Sequence, residues 1–381
     1  IRMKNNYIAL GLMSGTSGDG VDASIIESDG EKSYRVYIDK YFKYDSDIYE
    51  NIHILKDKIN NKPKNLIKYS DELKDLEKKI TLFHVKAVKE TLPETKLNVD
   101  FIGFHGQTIL HNPTYGITKQ LGNGSLLSQM TAKPVIYDFR QNDIKHGGEG
   151  APLAPIFHEL LVNQIGIGLP VSILNIGGIS NVTNLRLEVF HNKLVANAND
   201  IGPGNCLIDE WIKNNSDQQF DDEGKIAQAG NVNKIILNQV LETWRQNHNS
   251  DDWIRMGFYP SLDTKDFNTS FVRGLSLEDG AATLTEYTSQ ILADYFNKVS
   301  DFKNILICGG GRKNKLLINS IQKKIKQKII PTEDFGVNGD FVESQAFAYL
   351  AIRSYLGLEI SFPETTGCKK ASTGGVWVKN F

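Results

Sequence analysis

The chain has 381 residues, 40% of them hydrophobic and 23% charged, an ordinary globular composition that is too long for one compact core of usual size. Two domains are therefore expected. With 43 basic and 45 acidic side chains, a formal charge of -2, the sequence lacks the Lys and Arg excess that coats nucleic acid or an anionic membrane. Any polyanion it binds should be small and held by local groups.

In chain order, the first expected strand is Tyr7 to Leu12, followed by a polar turn, Ser14 to Gly20. Strands over Val21 to Ser28 and Tyr34 to Phe42 complete a meander joined by Gly, Ser and Asp turns. A long charged segment, Asp47 to Leu92, carries apolar residues at helical intervals, among them Leu66, Tyr69, Leu73, Leu76 and Ile80. A short buried strand is expected over Val99 to Phe104, ending at His105-Gly106-Gln107-Thr108. The second half opens the same way, with strands over Val171 to Ile176, Val182 to Leu187 and Lys193 to Ala198. Helices follow at Leu207 to Asn215, Val232 to His248 and Leu277 to Val299. Then come a strand, Asn304 to Cys308, three glycines, a helix near Asn314 to Gln327 and a last helix near Gly339 to Tyr355. Each half is thus a meander with a Gly-rich first turn, then helices alternating with single strands. The topology repeats while the sequence does not, which predicts two α/β lobes of mixed sheet with a cleft between them.

The first apolar run, Tyr7 to Met13, is short and leads into Ser-Gly-Thr-Ser-Gly rather than a cleavage site, so no secretory signal is read. The most apolar stretch, Ile165 to Val182, is broken by Gly166, Gly168, Pro170, Gly177 and Gly178 and reads poorly as a membrane span. A cytoplasmic protein is expected. Cys206, Cys308 and Cys368 lie far apart without zinc or disulfide spacing and read as reduced.

Chemistry concentrates in the glycine-rich turns. In Gly15-Thr16-Ser17-Gly18-Asp19-Gly20-Val21-Asp22, glycine lets the backbone approach a phosphate closely and Ser or Thr adds hydroxyl donors. Asp19 and Asp22 could hold the water shell of Mg²⁺, which needs one or two carboxylates beside phosphate oxygens. A plain hairpin turn uses the same residues. Gly177, Gly178 and Asn181 open the second half at the equivalent place, and Gly309-Gly310-Gly311 joins a strand to a helix, where backbone N–H groups favour anions. Rossmann and P-loop patterns are absent from the required context.

Asp200, in Asp200-Ile201-Gly202-Pro203-Gly204-Asn205, is a candidate base at a strand end beside glycines, or else a turn or helix-capping aspartate. Arg140 and Asp143 precede the flexible Gly147-Gly148-Glu149-Gly150. A guanidinium there could grip a carboxylate with its two-pronged face, or form a surface ion pair. His105 is a ligand contact or a satisfied core histidine. Glu343, on an apolar helix with Phe347, faces either a cleft or its own helix dipole.

Taken in order, these segments resemble the anhydro-N-acetylmuramic acid kinase family, of the actin, hexokinase and Hsp70 superfamily. The resemblance spans nearly the whole chain. It covers Gly11 to Ser17 with Asp19 to Asp22, His105 to Thr108, Asp138-Phe139-Arg140 with Asp143, and Gly147 to Leu153. It continues through Asn175 to Asn181, Asp200 with Gly202 to Asn205, Cys308 to Gly311, and Glu343 with Ala346-Phe347-Ala348. It implies an α/β protein of two actin-like (RNase H-like) lobes, residues 1–161 and 162–381, the last helix and tail being free to pack back on the first. The implied reaction is ATP-dependent, Mg²⁺-assisted opening of 1,6-anhydro-N-acetylmuramic acid to N-acetylmuramic acid 6-phosphate, in recycling of bacterial cell-wall fragments.

By the resemblance, ATP is bound by residues Gly15 to Asp22 with Gly177, Gly178, Asn181 and Gly309 to Gly311, and Asp19 is the metal candidate. Asp200 is the base that activates water. Arg140 takes the lactyl carboxylate, and His105, Asp143 and Glu343 order the sugar. The partners are small molecules, not nucleic acid or membrane, and a homodimer is one option. Three departures stand out: Gly18 where a larger apolar residue is usual, Glu149 in place of glutamine, and the basic pair Arg312-Lys313. Rival readings are a kinase of another sugar or polyol, a nucleotide-gated binding protein, and a polyphosphate hydrolase of the same superfamily.

Overall fold

The computed structural model describes residues 6–188, 193–248, 262–299 and 301–381, which divide into two compact units, 1–166 with 341–381 and 167–340. Among these residues, no helix is long and apolar enough to cross a membrane.

In the first unit, β1 (Tyr7–Ser14), β2 (Gly20–Ser28) and β3 (Tyr34–Lys43) form the antiparallel meander. Beyond β1 come β4 (Phe101–Asn112), parallel to it, and β6 (Val135–Tyr137), parallel to β4. The short β5 (Ile117–Leu121) pairs with β4, and a last strand, Val376–Val378, closes the far edge. β1 is buried along nearly its whole length because helices cover both faces of the sheet. On one face, helix α1 (Ser46–Ile59) presents Ile48, Ile52, Leu55 and Ile59, a helical stripe, and the helix Ser70–Thr91 presents Leu73, Leu76, Ile80 and Phe83. On the other lies the helix Val342–Leu356, buried almost all round.

That second contact depends on two glycines in register. Gly11 of β1 pairs with Gly103 of β4. A Cβ on Gly11 would stand 2.0 Å from the Ser344 carbonyl oxygen, and one on Gly103 would stand 2.5 Å from that of Phe347. The absence of both side chains lets the helix backbone rest on the strands themselves. Polar bonds then fix its register: Ser344 Oγ lies 2.7 Å from Ser24 Oγ, and Gln345 donates to both oxygens of Asp39, at 3.1 and 3.0 Å.

The second unit repeats this plan. β7 (Val171–Ile176), β8 (Ile179–Glu188) and β9 (Lys193–Pro203) form an antiparallel meander, and β7, β10 (Asn304–Cys308) and β11 (Lys328–Pro331) run parallel. The order β9-β8-β7-β10-β11 matches β3-β2-β1-β4-β6, in direction as well as sequence. Two mixed sheets of this order, with flanking helices, make the actin-like (RNase H-like) architecture. Leu174, Ile176, Val182, Ile305 and Ile307 pack against the helices Leu277–Lys298 and Lys315–Lys324.

Several boundaries differ from the expectation. β4 does not stop before His105; it continues to Asn112, because Gly106 adopts φ 77° and β5 pairs with the extension. β9 runs past Ala198 to Pro203, so Asp200 sits inside a strand, opposite Asn181, beside a register shift at Ser180 and Asn181. After Cys308 the chain makes a 3₁₀ turn, Gly310–Lys313, before the helix, and the last long helix begins at Val342 rather than Gly339.

Candidate active-site residues in the two units

The turn between β1 and β2 is held from three sides. Ser14 Oγ lies 2.8 Å from the Gly20 carbonyl, 2.6 Å from Gln107 Oε1 and 3.0 Å from the Tyr44 hydroxyl. Its single proton serves one carbonyl-type oxygen at a time, while the Tyr44 hydroxyl can donate to it. Gln107 Nε2 donates to the Gly15 carbonyl at 2.9 Å, so this fully buried amide braces the start of the turn, which Ser14 ties to Gly20. The Tyr44 amide donates to the Asp19 carbonyl at 2.9 Å. Gly18 takes φ 65°, where a Cβ would meet Ile52 Cγ2 of α1 at 3.0 Å. Thr16, Ser17 and Asp19 remain exposed at the tip, and the Ser17 hydroxyl donates to Asp19 Oδ1 at 2.6 Å.

A second group in the same unit gathers His105, Arg140, Asp143 and Glu343. His105 Nδ1 lies 2.8 Å from the Gly106 carbonyl and so carries the proton, leaving the Nε2 lone pair for Arg140. Arg140 donates to it through Nε at 3.1 Å and Nη2 at 2.9 Å, and through Nη1 to the Gly150 carbonyl at 2.8 Å. Burial, and then the neighbouring guanidinium, keep His105 neutral by holding its pKa well below the usual value. Burial also lowers Arg140, to about 10, against the pull of Glu343 and Asp143.

Glu343, in the first turn of its helix, is pushed up by burial and held back by Arg140. Phe347, one turn further on, sets its ring 4.5 Å from that of His105 at a tilt of 50° and lies beneath the guanidinium. Asp143 is 1% exposed, and its carboxylate is engaged within the unit. It accepts the Gly150 amide at 2.7 Å and the Thr366 hydroxyl at 2.6 Å. Asp143 therefore holds the loop whose Gly150 carbonyl holds Arg140.

In the second unit the glycine turns meet at the carboxyl ends of adjacent parallel strands, where α/β folds bind ligands. The Gly177 carbonyl accepts the Asn205 amide at 2.8 Å, and the Gly178 carbonyl accepts the Gly204 amide at 2.9 Å. A Cβ on Gly204 would stand 2.1 Å from the Gly177 oxygen. Gly309, at φ 80°, lies against Asn175 Oδ1, Gly311 lies against Ile176, and Gly310 faces open space. Asp200 is partly buried and accepts the Leu262 amide on Oδ2 at 2.9 Å. It does not cap the helix that follows it: Cys206–Asn215 has Asn205 at its N-cap.

Arg312 and Lys313, unexpectedly basic, are anchors. Arg312 binds Glu333, Asp340 and the Gly309 carbonyl, and Lys313 pairs with Asp340 at 2.6 Å. Burial alone would raise both carboxyls, but these bonds bring Asp340 and Glu333 below their ordinary values of 3.8 and 4.5. Carboxyls depressed in the folded state contribute stability above those values and lose it as pH falls through the lower, folded ones. Arg312→Met should therefore destabilise the protein at about pH 6 and cost much less near about pH 3. Urea unfolding of both proteins at the two pH values measures this, and an equal difference at each would rule it out.

Comparison with known proteins adds a family to this geometry. Residues 6–380 match the profile described as anhydro-N-acetylmuramic acid kinase. A Pelagibacter ubique protein of that name is 49% identical over 386 residues, covering 100% of each chain. Namesakes from Methylobacterium nodulans and Zymomonas mobilis are each 37% identical, covering 97% of this chain and 98% of theirs.

The chain belongs to the anhydro-N-acetylmuramic acid kinase family.

Within this family member, the structure brings His105, Arg140 and Glu343 into one cluster, and gathers Gly177, Gly178 and the Gly309 to Gly311 turn around another. The sequence names Gln107 and Phe347 only as members of their motifs, without a role, and does not single out Tyr44. Gln107 carried a signal only once β4 is seen to continue past His105, since an uncharged amide inside a buried strand must find partners there. Tyr44 carried none, because its role depends on the meander folding back.

Proposed function

We propose that this kinase, which uses ATP to convert 1,6-anhydro-N-acetylmuramic acid and water to N-acetylmuramic acid 6-phosphate, does so with Asp200 as its base. Asp200 takes a proton from water as the water oxygen bonds to C1 of the sugar. The C1–O6 bond of the anhydro bridge breaks, and O6 attacks the γ-phosphorus as the bond to ADP breaks. One carboxylate suffices because the bridge oxygen becomes nucleophilic as it leaves C1. The match over residues 6–380, with Asp200 in a strand beside the glycine turns, carries this reading.

Residues Gly15 to Asp22 supply amide and hydroxyl donors to the triphosphate, and Gly177, Gly178, Asn181 and Gly309 to Gly311 bind the rest of the nucleotide. Mg²⁺ fits the donor set at the first turn: an exposed Asp19 carboxylate, steadied by Ser17, suits an ion that keeps most of its water. Among the described residues no group of three or more His, Cys, Asp or Glu could form a complete metal cage. When bound, Mg²⁺ would neutralise phosphate charge. Arg140 takes the lactyl carboxylate, His105 fixes the guanidinium plane, Glu343 orders the sugar, and Asp143 positions the Gly147 to Gly150 loop. Peptidoglycan recycling in the cytoplasm is the setting this chemistry suits.

The test is product formation from ATP and the anhydro sugar in ¹⁸O-labelled water, read by mass spectrometry. Label at C1 of a 6-phosphorylated product is expected. A phosphorylated product without label would overturn water attack, and phosphorylation of free hexoses alone would overturn the substrate.

A further inference from the structure

The turn proposed to hold the triphosphate has an electrostatic gap. From Ser14 to Asp22 it contains two aspartates and no Lys or Arg. A triphosphate with several negative charges gains much from a nearby cation, since charge-assisted hydrogen bonds are about twice as strong as neutral ones. That cation comes from outside the turn. Lys56 of α1 points its ammonium at the turn and donates to the Thr16 carbonyl.

The route by which Lys56 reaches the turn involves Gly18. Ile52 and Lys56 are four residues apart and share one face of α1. Ile52 is fully buried against Gly18, whose missing side chain lets the helix approach. A larger residue at position 18 would push Ile52, and with it the start of the Lys56 stem, away from the turn. The helix is held firmly, with Ile48, Ile52, Leu55 and Ile59 all in the core, while the Lys56 side chain is only partly buried and carries three donors.

We propose that Lys56 supplies the positive charge the phosphate-binding turn lacks, contacting the outer phosphates of a bound nucleoside triphosphate from beside Thr16. The inference rests on reading Gly15 to Asp22 as the nucleotide turn. It also recasts Gly18: the loss of a side chain there admits a cation.

Calorimetric titration with a non-hydrolysable ATP analogue and with AMP tests it, using wild type, Lys56→Met, Lys56→Arg and Lys58→Met. Lys58 pairs with Glu72 and serves as a control for removing a charge from the same helix. Lys56→Met should weaken triphosphate binding about tenfold or more and AMP binding far less, Lys56→Arg should recover most of the loss, and Lys58→Met should match wild type. Equal weakening for AMP and triphosphate would mean that Lys56 only shapes the turn, and wild-type affinity in Lys56→Met would remove its role; either overturns the proposal. Failure of the folded wild type to bind the triphosphate would instead overturn the nucleotide reading on which it rests.

Discussion

Asp200→Asn should lower turnover by roughly 10²- to 10⁴-fold, the usual worth of a positioned general base, while ATP binding stays within about twofold of wild type. The substitution suits the question because asparagine is nearly isosteric with aspartate and keeps a side-chain acceptor. Asp200 accepts the Leu262 amide through Oδ2 at 2.9 Å, and an asparagine carbonyl can accept the same bond. Strand β9 and its pairing with Asn181 should persist, and the circular dichroism spectrum and melting temperature with them. The lost property is proton uptake from water. Steady-state kcat with the anhydro sugar, beside a nucleotide titration, separates the two. A kcat within about tenfold of wild type would remove Asp200 from the base role, which falls outside the expected range. A protein that fails to fold would assign it to architecture.

Arg140→Met should raise KM for the anhydro sugar about ten- to hundredfold, corresponding to the roughly 1.5–3 kcal/mol of a hydrogen bond to a charged group, with nucleotide affinity unchanged. It should also lower the melting temperature. Removing the guanidinium leaves the His105 Nε2 lone pair and the Gly150 carbonyl without their donor, and leaves Glu343 without its cation. Removing that donor is more costly than its net contribution when intact, because the acceptors left behind stay desolvated and unpaired. Arg140→Lys should not restore the sugar KM. A single ammonium cannot serve His105 and Gly150 in the directions that Nε, Nη1 and Nη2 occupy and still present donors to a carboxylate. An unchanged KM in Arg140→Met would sink the substrate role, even if stability fell.

The two lobes, their meanders and their glycine turns were legible in the sequence because strand periodicity and turn chemistry are local properties. The ends of β4 and β9 were not. Gly106 reads as a strand terminator in sequence, yet at φ 77° it marks an irregularity through which β4 continues. Asp200 and Gly202 likewise read as a turn until β8 supplies a partner strand. The candidate site was legible as residue types and not as contacts. Nothing near His105 in sequence announces Arg140, and Asp143, expected to order the sugar, gives no sign that the Gly150 amide and the Thr366 hydroxyl occupy its carboxylate. Lys56 sits in a charged helix among many lysines, and only its place one turn after Ile52, under Gly18, distinguishes it.

The glycine seat on β1 and β4 has a consequence for how the protein is made. The helix that fills it, Val342–Leu356, emerges from the ribosome only after all of residues 167–340. Until then Gly11 and Gly103 form a bare stripe on a sheet whose other face is already covered by its own helices. The second unit, continuous in sequence, can complete its core first, whereas the first must wait for a distant segment and close a long loop to finish. During synthesis the exposed stripe is therefore the surface most in need of protection from wrong partners, and truncation before Val342 should leave the first unit prone to aggregate rather than merely inactive.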